Sequence, residues 1–256
     1  MMLYEALNID VNDKVKVIAL VGGGGKTTTM FKLASELRNR GKRVLITTTT
    51  AIYEPSRRQY DELHLWESKS LGQKFISKHE AGIIVIGREV NQEGKLIGVA
   101  PEVIDELSKQ ESFDIILVEA DGSKRRPIKA PAEHEPVIPK SATDVIGVIG
   151  MEALGKNISE ESVHRPELFR KIVGAEMQAI INVDMLISLV LDSKGLFKGT
   201  PIEANKYLLL NKMDLLAEEE LRRLAHKLKV LDKDLKEVIM VSYMRGSCLK
   251  WRDLID

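Results

Sequence analysis

Val15-Lys16-Val17-Ile18-Ala19-Leu20-Val21 runs directly into Gly22-Gly23-Gly24-Gly25-Lys26-Thr27-Thr28-Thr29. The first seven residues are apolar and β-branched with almost no alternation, which is the pattern of a strand buried on both faces of a parallel sheet. After the glycines, Met30, Leu33, Ala34 and Leu37 recur at helical spacing, and Gly41 falls where a C-terminal cap belongs. Arg43–Thr47 then reads as a second strand ending in the threonine cluster Thr47–Thr50. Strand, glycine loop, helix and strand in succession make a βαβ unit, which requires a parallel sheet.

The alternation continues outward from that unit. Gly82–Gly87, Asp114–Ala120, Asp144–Gly150, Tyr207–Leu210 and Val238–Ser242 read as further strands. Pro101–Lys109, Pro166–Val173, Val183–Leu191, Leu215–Leu228 and Leu249–Ile255 read as helices, two of them with proline in the first turn. Asp121–Lys140 has little periodicity and is expected to be a long loop or β-arm. The fold class that follows is α/β: a doubly wound, mostly parallel sheet of the P-loop NTPase type with helices on both faces. It is expected to occupy residues 1–256 as one domain, with room for an inserted subdomain within 122–205.

Composition narrows the function. The 256 residues carry 38 Lys+Arg against 38 Asp+Glu, a formal charge of zero, with 44% hydrophobic and 30% charged residues. That is too apolar for disorder, and charge neutrality argues against a nucleic-acid or membrane-surface partner. No apolar run approaches the roughly 18 residues that a span requires. The start, Met1–Asp13, is acidic and amphipathic rather than signal-like. The single cysteine, Cys248, cannot form an internal disulfide and suits a reducing cytoplasm. His64, His79, His134, His164 and His226 include no pair at helical ligand spacing, so no dedicated His/Cys metal site is expected.

The glycine loop carries the first chemistry. Gly22, Gly23, Gly24 and Gly25 let the backbone curl so that N–H groups converge on an anion, and the start of the following helix adds partial positive charge. Lys26 can reach the β- and γ-phosphates of a nucleotide, the Thr27 hydroxyl can ligate Mg²⁺, and Thr28 extends the same turn. Leu20 stands where a full-length phosphate loop has its first glycine, so the loop is a shortened form, G-x-x-G-K-T. Ile115–Val118 ends in Glu119 and, two residues on, Asp121, at the strand end that faces the ligand crevice of a doubly wound sheet. Either acid can hold Mg²⁺ or polarise an attacking water, so Lys26, Glu119 and Asp121 are the candidate catalytic residues and Thr27, Glu119 and Asp121 the candidate metal ligands.

Near the C-terminus, Asn211-Lys212-Met213-Asp214 follows an apolar strand and matches the N-K-x-D segment that reads guanine. There the Asp214 carboxylate would accept from guanine N1–H and the exocyclic amine, the Lys212 stem would cover the base, and Asn211 would brace neighbouring loops. Ser242 closes the last strand in the manner of the loop that touches the guanine oxygen, with Tyr243 in place of the usual alanine. The basic run after Asp121 supplies Lys124, Arg125 and Arg126, and His164 and Arg165 precede Pro166. These are candidate anion contacts; a solvated charge run and an ordinary helix start account for the same residues.

VGGGGKTT, VEADGSKRRPIKAPAEHEPVIP, VHRPE, and Leu196–Gly199 together with LLLNKMD resemble the YqeC-like family over about residues 15–245. The resemblance implies a P-loop nucleotide-binding fold and an accessory role in selenium-dependent molybdenum hydroxylase maturation and selenium cofactor biosynthesis. Three activities remain open. One is a Mg²⁺-dependent GTP-hydrolysing maturation factor. Another is an ATP-dependent ligase or kinase acting on a selenium or cofactor precursor, since Gly22–Thr28 is also similar to the loop of Mur-type ligases. The third is a nucleotide-controlled binding module without turnover.

Overall fold

The apolar runs expected to be interior strands pair side by side. The computed structural model of the chain describes residues 1–9, 15–66, 81–110 and 112–255. His79 and the second half of the acidic N-terminal run, residues 10–13, lie outside the described residues. The strands are β1 (Lys16–Gly22), β2 (Arg43–Thr48), β3 (Ala51–Tyr53), β4 (Glu62–Leu65), β5 (Gly82–Gly87), β6 (Glu89–Val90), β7 (Lys95–Ile97), β8 (Ile115–Glu119), β9 (Ile128–Lys129), β10 (Asp144–Gly150), β11 (Val163–His164), β12 (Asn205–Asn211), β13 (Glu237–Ser242) and β14 (Ser247–Lys250). The helices are α1 (Leu3–Leu7), α2 (Lys26–Arg38), α3 (Pro101–Lys109), α4 (Pro166–Val173), α5 (Val183–Leu191) and α6 (Glu218–Leu228).

A nine-stranded sheet runs in the order β14-β13-β12-β10-β1-β8-β2-β5-β4. Every pair in it is parallel except β13–β14. Strand residues alternate between two apolar layers: Val17, Ala19 and Val21 of β1 face one, Ile18 and Leu20 the other. The second layer is closed by α1 and α2 through Leu7, Met30, Leu33 and Leu37. The first is closed by α3, α4, α5 and α6 through Leu107, Phe169, Leu189 and Leu224. This is the doubly wound α/β fold. Because the sheet is parallel around its centre, the carboxyl ends of β1, β8, β12 and β13 open on one edge.

Two expectations need correction. The helix expected to begin at Leu215 begins at Glu218; Met213–Leu215 is a 3₁₀ turn. Lys212 takes a left-handed conformation there, and the Glu220 carboxylate accepts from the Ala217 amide at 2.8 Å, which sets the later start. Leu249–Ile255 is not one helix. Ser247–Lys250 pairs antiparallel with β13 after a turn containing left-handed Gly246, and only Trp251–Leu254 is helical, as 3₁₀. The outer edge of β13 offers unpaired backbone groups that a helix would leave unused.

Asp121–Lys140, expected as a long loop or β-arm, is irregular except for β9, where Ile128 and Lys129 pair in parallel with β11 and are buried. The stretch 122–205 also contributes β10 to the middle of the large sheet. No helix among the described residues is long and apolar enough to cross a membrane.

Candidate functional site

The loop between β1 and α2 is held by backbone. Gly22, Gly24 and Gly25 have φ of 95°, 75° and 129°, a region costly for residues with a Cβ. A Cβ on Gly24 would also collide with the Gly150 backbone nitrogen. The Gly22 amide donates to Asp121 Oδ2 at 3.2 Å, the Gly23 amide to the Val148 carbonyl at 2.9 Å and the Gly24 amide to the Arg126 carbonyl at 2.9 Å. The donors left to meet an anion begin at the first turn of α2, whose amides have no intrahelical acceptor.

Lys26 lies under that turn, 3% exposed. Its ammonium donates to the Gly22 carbonyl at 2.6 Å and stands 3.1 Å from Asp121 Oδ1 and 3.7 Å from Glu119 Oε1. Burial lowers its proton affinity, but Asp121 and Glu119 outweigh that, so its pKa is raised and the ammonium stays charged. The Thr27 hydroxyl donates to Glu119 Oε2 at 2.6 Å. Burial pushes the Glu119 carboxyl above its usual range, against the opposing pull of Lys26 and Thr27. Asp121 Oδ1 is buried and accepts no hydrogen bond among the described residues. The threonine cluster fixes the strand end: Thr48 Oγ1 donates to the Glu119 carbonyl at 2.7 Å.

Two members of this network, Lys129 and Glu135, are not among the candidate residues of the sequence. Lys129, 1% exposed, stands 3.3 Å from Asp121 Oδ2 and 2.9 Å from Glu135 Oε2, and donates to the Gly122 carbonyl at 2.6 Å. Arg165 Nη1 donates to the same Glu135 oxygen at 2.5 Å. Burial would lift the Glu135 carboxyl, but hydrogen bonds from Arg165 and Lys129 win and hold it at about 2. Burial first, then Arg165 and Lys129, lower the neighbouring His164 to about 4, so this imidazole is neutral at pH 7. The signal for the pair was the quoted segments themselves, but only the β9–β11 register, Lys129 opposite His164, brings them together.

At the other end, Asn211 Nδ2 donates to the Gly24 carbonyl at 2.8 Å, and its Oδ1 accepts from the Lys212 amide at 2.8 Å. Lys212 is exposed and ion-pairs with Glu152. Asp214 is hydrogen-bonded by Ser242, which holds its carboxyl below the usual range. Tyr243 donates to Thr29 Oγ1 at 2.7 Å, tying this end to α2.

One cleft of about 1190 Å³ joins these parts. Gly24, Gly25, Lys26, Thr27 and Thr28 line its middle with Glu119. Asn211, Lys212 and Asp214 line one end, and Lys124, Arg125, His164 and Arg165 the other. Gly22, Gly23, Asp121 and Ser242 stand behind the wall as its supports. Arg126 is not part of the lining; its carbonyl anchors Gly24 instead. The arrangement can hold a multiply charged oxyanion at the helix start, a hard cation among Thr27, Glu119 and Asp121, and a planar ring with its N–H edge towards Asp214.

The chain has relatives among known proteins. Residues 18–167 match the family described as YqeC protein. The uncharacterized protein YqeC of Escherichia coli (strain K12) is 38% identical over 210 residues, covering 81% of this chain and 81% of that protein. A weaker similarity, 23% over 189 residues, links it to the signal recognition particle receptor FtsY of Agrobacterium fabrum (strain C58 / ATCC 33970), covering 70% of this chain and 35% of that protein. With more than half its length matched and the P-loop, the acidic strand and the HRPE segment inside the match, the chain belongs to the YqeC family.

Proposed function

We propose that this protein binds GTP, with ATP the competing nucleotide, together with Mg²⁺ in the cytoplasm, and cleaves the terminal phosphate as an accessory factor in maturing a selenium-dependent molybdenum hydroxylase. The observation that carries the nucleotide reading is the convergence of Lys26, Thr27, Glu119 and Asp121 at the start of α2. An ammonium between two acids beneath unpaired helix amides is the chemistry that a polyphosphate and its metal need. The maturation role rests on the family resemblance.

The donor set fits Mg²⁺: it is all oxygen, one hydroxyl and two carboxylates, with Asp121 Oδ1 buried against the Lys26 ammonium at 3.1 Å. Thr27 and Glu119 would hold the ion, with Asp121 behind them. When bound, it neutralises charge on the β- and γ-phosphates. The chain's own part is to position and to stabilise. Lys26 and the α2 amides would hold the oxygens of the transferring group, and Glu119, fixed by the Thr27 hydroxyl at 2.6 Å, would orient the attacking water, whose proton passes to the phosphate oxygens. The water oxygen bonds to the γ-phosphorus, the bond to the bridging oxygen breaks, and the nucleoside diphosphate leaves.

A second reading, transfer to an acceptor instead of water, is favoured by the continuation of the cleft past Thr27 to Lys124 and Arg125. Calorimetry with GTP and ATP, each with and without Mg²⁺, followed by a phosphate-release assay, tests the proposal. Tight Mg²⁺-dependent GTP binding with phosphate release supports it, and absence of binding to either nucleotide removes it.

A further inference from the structure

The cleft is longer than one nucleotide reading explains. Beyond the phosphate loop its wall is made by Tyr53, Lys95, Lys124, Arg125 and Arg165. The acid on this wall, Glu135, is already neutralised by Lys129 at 2.9 Å and Arg165 at 2.5 Å. Lys95 pairs with Glu93 at 2.6 Å. Lys124 and Arg125 have no carboxylate partner among the described residues, and both are exposed. Arg125 is held in place all the same: its guanidinium lies 4.4 Å from the centre of the Tyr53 ring. Lys124, Arg125 and Arg165 all have left-handed backbones, with φ of 49°, 62° and 67°, which aim their side chains in ways ordinary loop geometry would not.

We propose that this arm binds a small oxyanion, a carboxylate or a phosphate ester, as a second substrate beside the phosphate loop, with Lys124 and the Tyr53-stacked Arg125 as its direct contacts. A planar guanidinium fixed by an aromatic ring offers paired N–H donors matched to two oxygens of one such group. The arm is joined to the loop through buried ion pairs: Arg165 to Glu135, Glu135 to Lys129 at 2.9 Å, Lys129 to Asp121 at 3.3 Å, and Asp121 to Lys26 at 3.1 Å. The assignment rests on the nucleotide reading for its role as substrate, but not for the binding itself.

Inorganic phosphate and malonate are titrated separately into the full chain, with and without GDP, and into Arg125→Ala, Lys124→Ala, Arg126→Ala and Lys26→Ala. The expected result is a binding event that persists with GDP and in Lys26→Ala and Arg126→Ala, and weakens about tenfold in Arg125→Ala and Lys124→Ala. Binding of phosphate alone assigns a phosphate ester, and of malonate alone a carboxylate. If neither anion binds, or if binding ignores Arg125 and Lys124 and disappears with Lys26, the inference is overturned. If GDP itself fails to bind while the Arg125-dependent event remains, the nucleotide reading falls and the anion site stands.

Discussion

Asn211 Nδ2 donates to the Gly24 carbonyl at 2.8 Å, so the residue that opens the Asn211–Asp214 segment also holds the glycine loop. Asn211→Ala would leave a largely buried carbonyl without its donor, a loss of about 1–3 kcal/mol in stability. Because the contact is to the loop and not to a base, affinity for GTP and ATP should fall by the same factor. Paired titrations check this, and a loss confined to GTP would assign Asn211 to the base instead.

Lys26→Ala removes the positive charge between Glu119 and Asp121. Nucleotide affinity should fall at least about tenfold and turnover almost vanish. The stability of the variant should also depend more steeply on pH. Burial already raises Glu119, and without the ammonium its pKa rises further. A carboxyl whose folded pKa lies above its unfolded one stabilises at low pH and loses that as pH rises through the folded value. Denaturant melts should find the variant losing stability more steeply than the parent chain as pH rises above the ordinary carboxylate range.

Asp214 is kept ionised by Ser242. In Asp214→Asn the amide presents a donor where guanine also presents donors. GTP affinity should drop about tenfold or more with ATP affinity unchanged, while XTP, whose ring oxygen accepts, should gain. Unchanged GTP affinity would remove this segment from base recognition.

Acid should act on the His164 cluster in two stages. His164 titrates at about 4 in the folded chain against an ordinary 6.5. Its contribution is complete above pH 6.5 and is lost as pH falls towards 4. Glu135, at about 2 against 4.5, loses its contribution only below pH 4.5. His164→Asn should therefore flatten the decline in Tm between pH 7 and 5 by about 2–4 °C and leave the lower branch in place.

What could be read from the residues alone followed burial. β1, β5, β8 and β10 are apolar on both faces, and such runs announce themselves without knowledge of their neighbours. β4 and β6, with Glu62, His64 and Glu89, carry too few apolar residues to stand out, and β4 is placed only by its pairing with β5, some way along the chain. The same division runs through the site. Gly22–Thr28 and Asn211–Asp214 are local patterns whose residues meet the cleft or support it. Lys129 sits among exposed cations of the same type, and its burial follows from pairing with a segment more than thirty residues away. Arg126 shows the reverse: a cation in the same run, it contributes its backbone to the loop and not its charge to the cleft.

The amide bonds from Gly22 to Asp121, Gly23 to Val148 and Gly24 to Arg126 depend only on the chain itself. The curl of the glycine loop is thus cast during folding, and on the proposed function it needs no guest to form. Little backbone freedom is left to surrender at encounter, so a fitting polyanion meets a rigid mould, and selectivity is decided by shape and charge before any loop has moved.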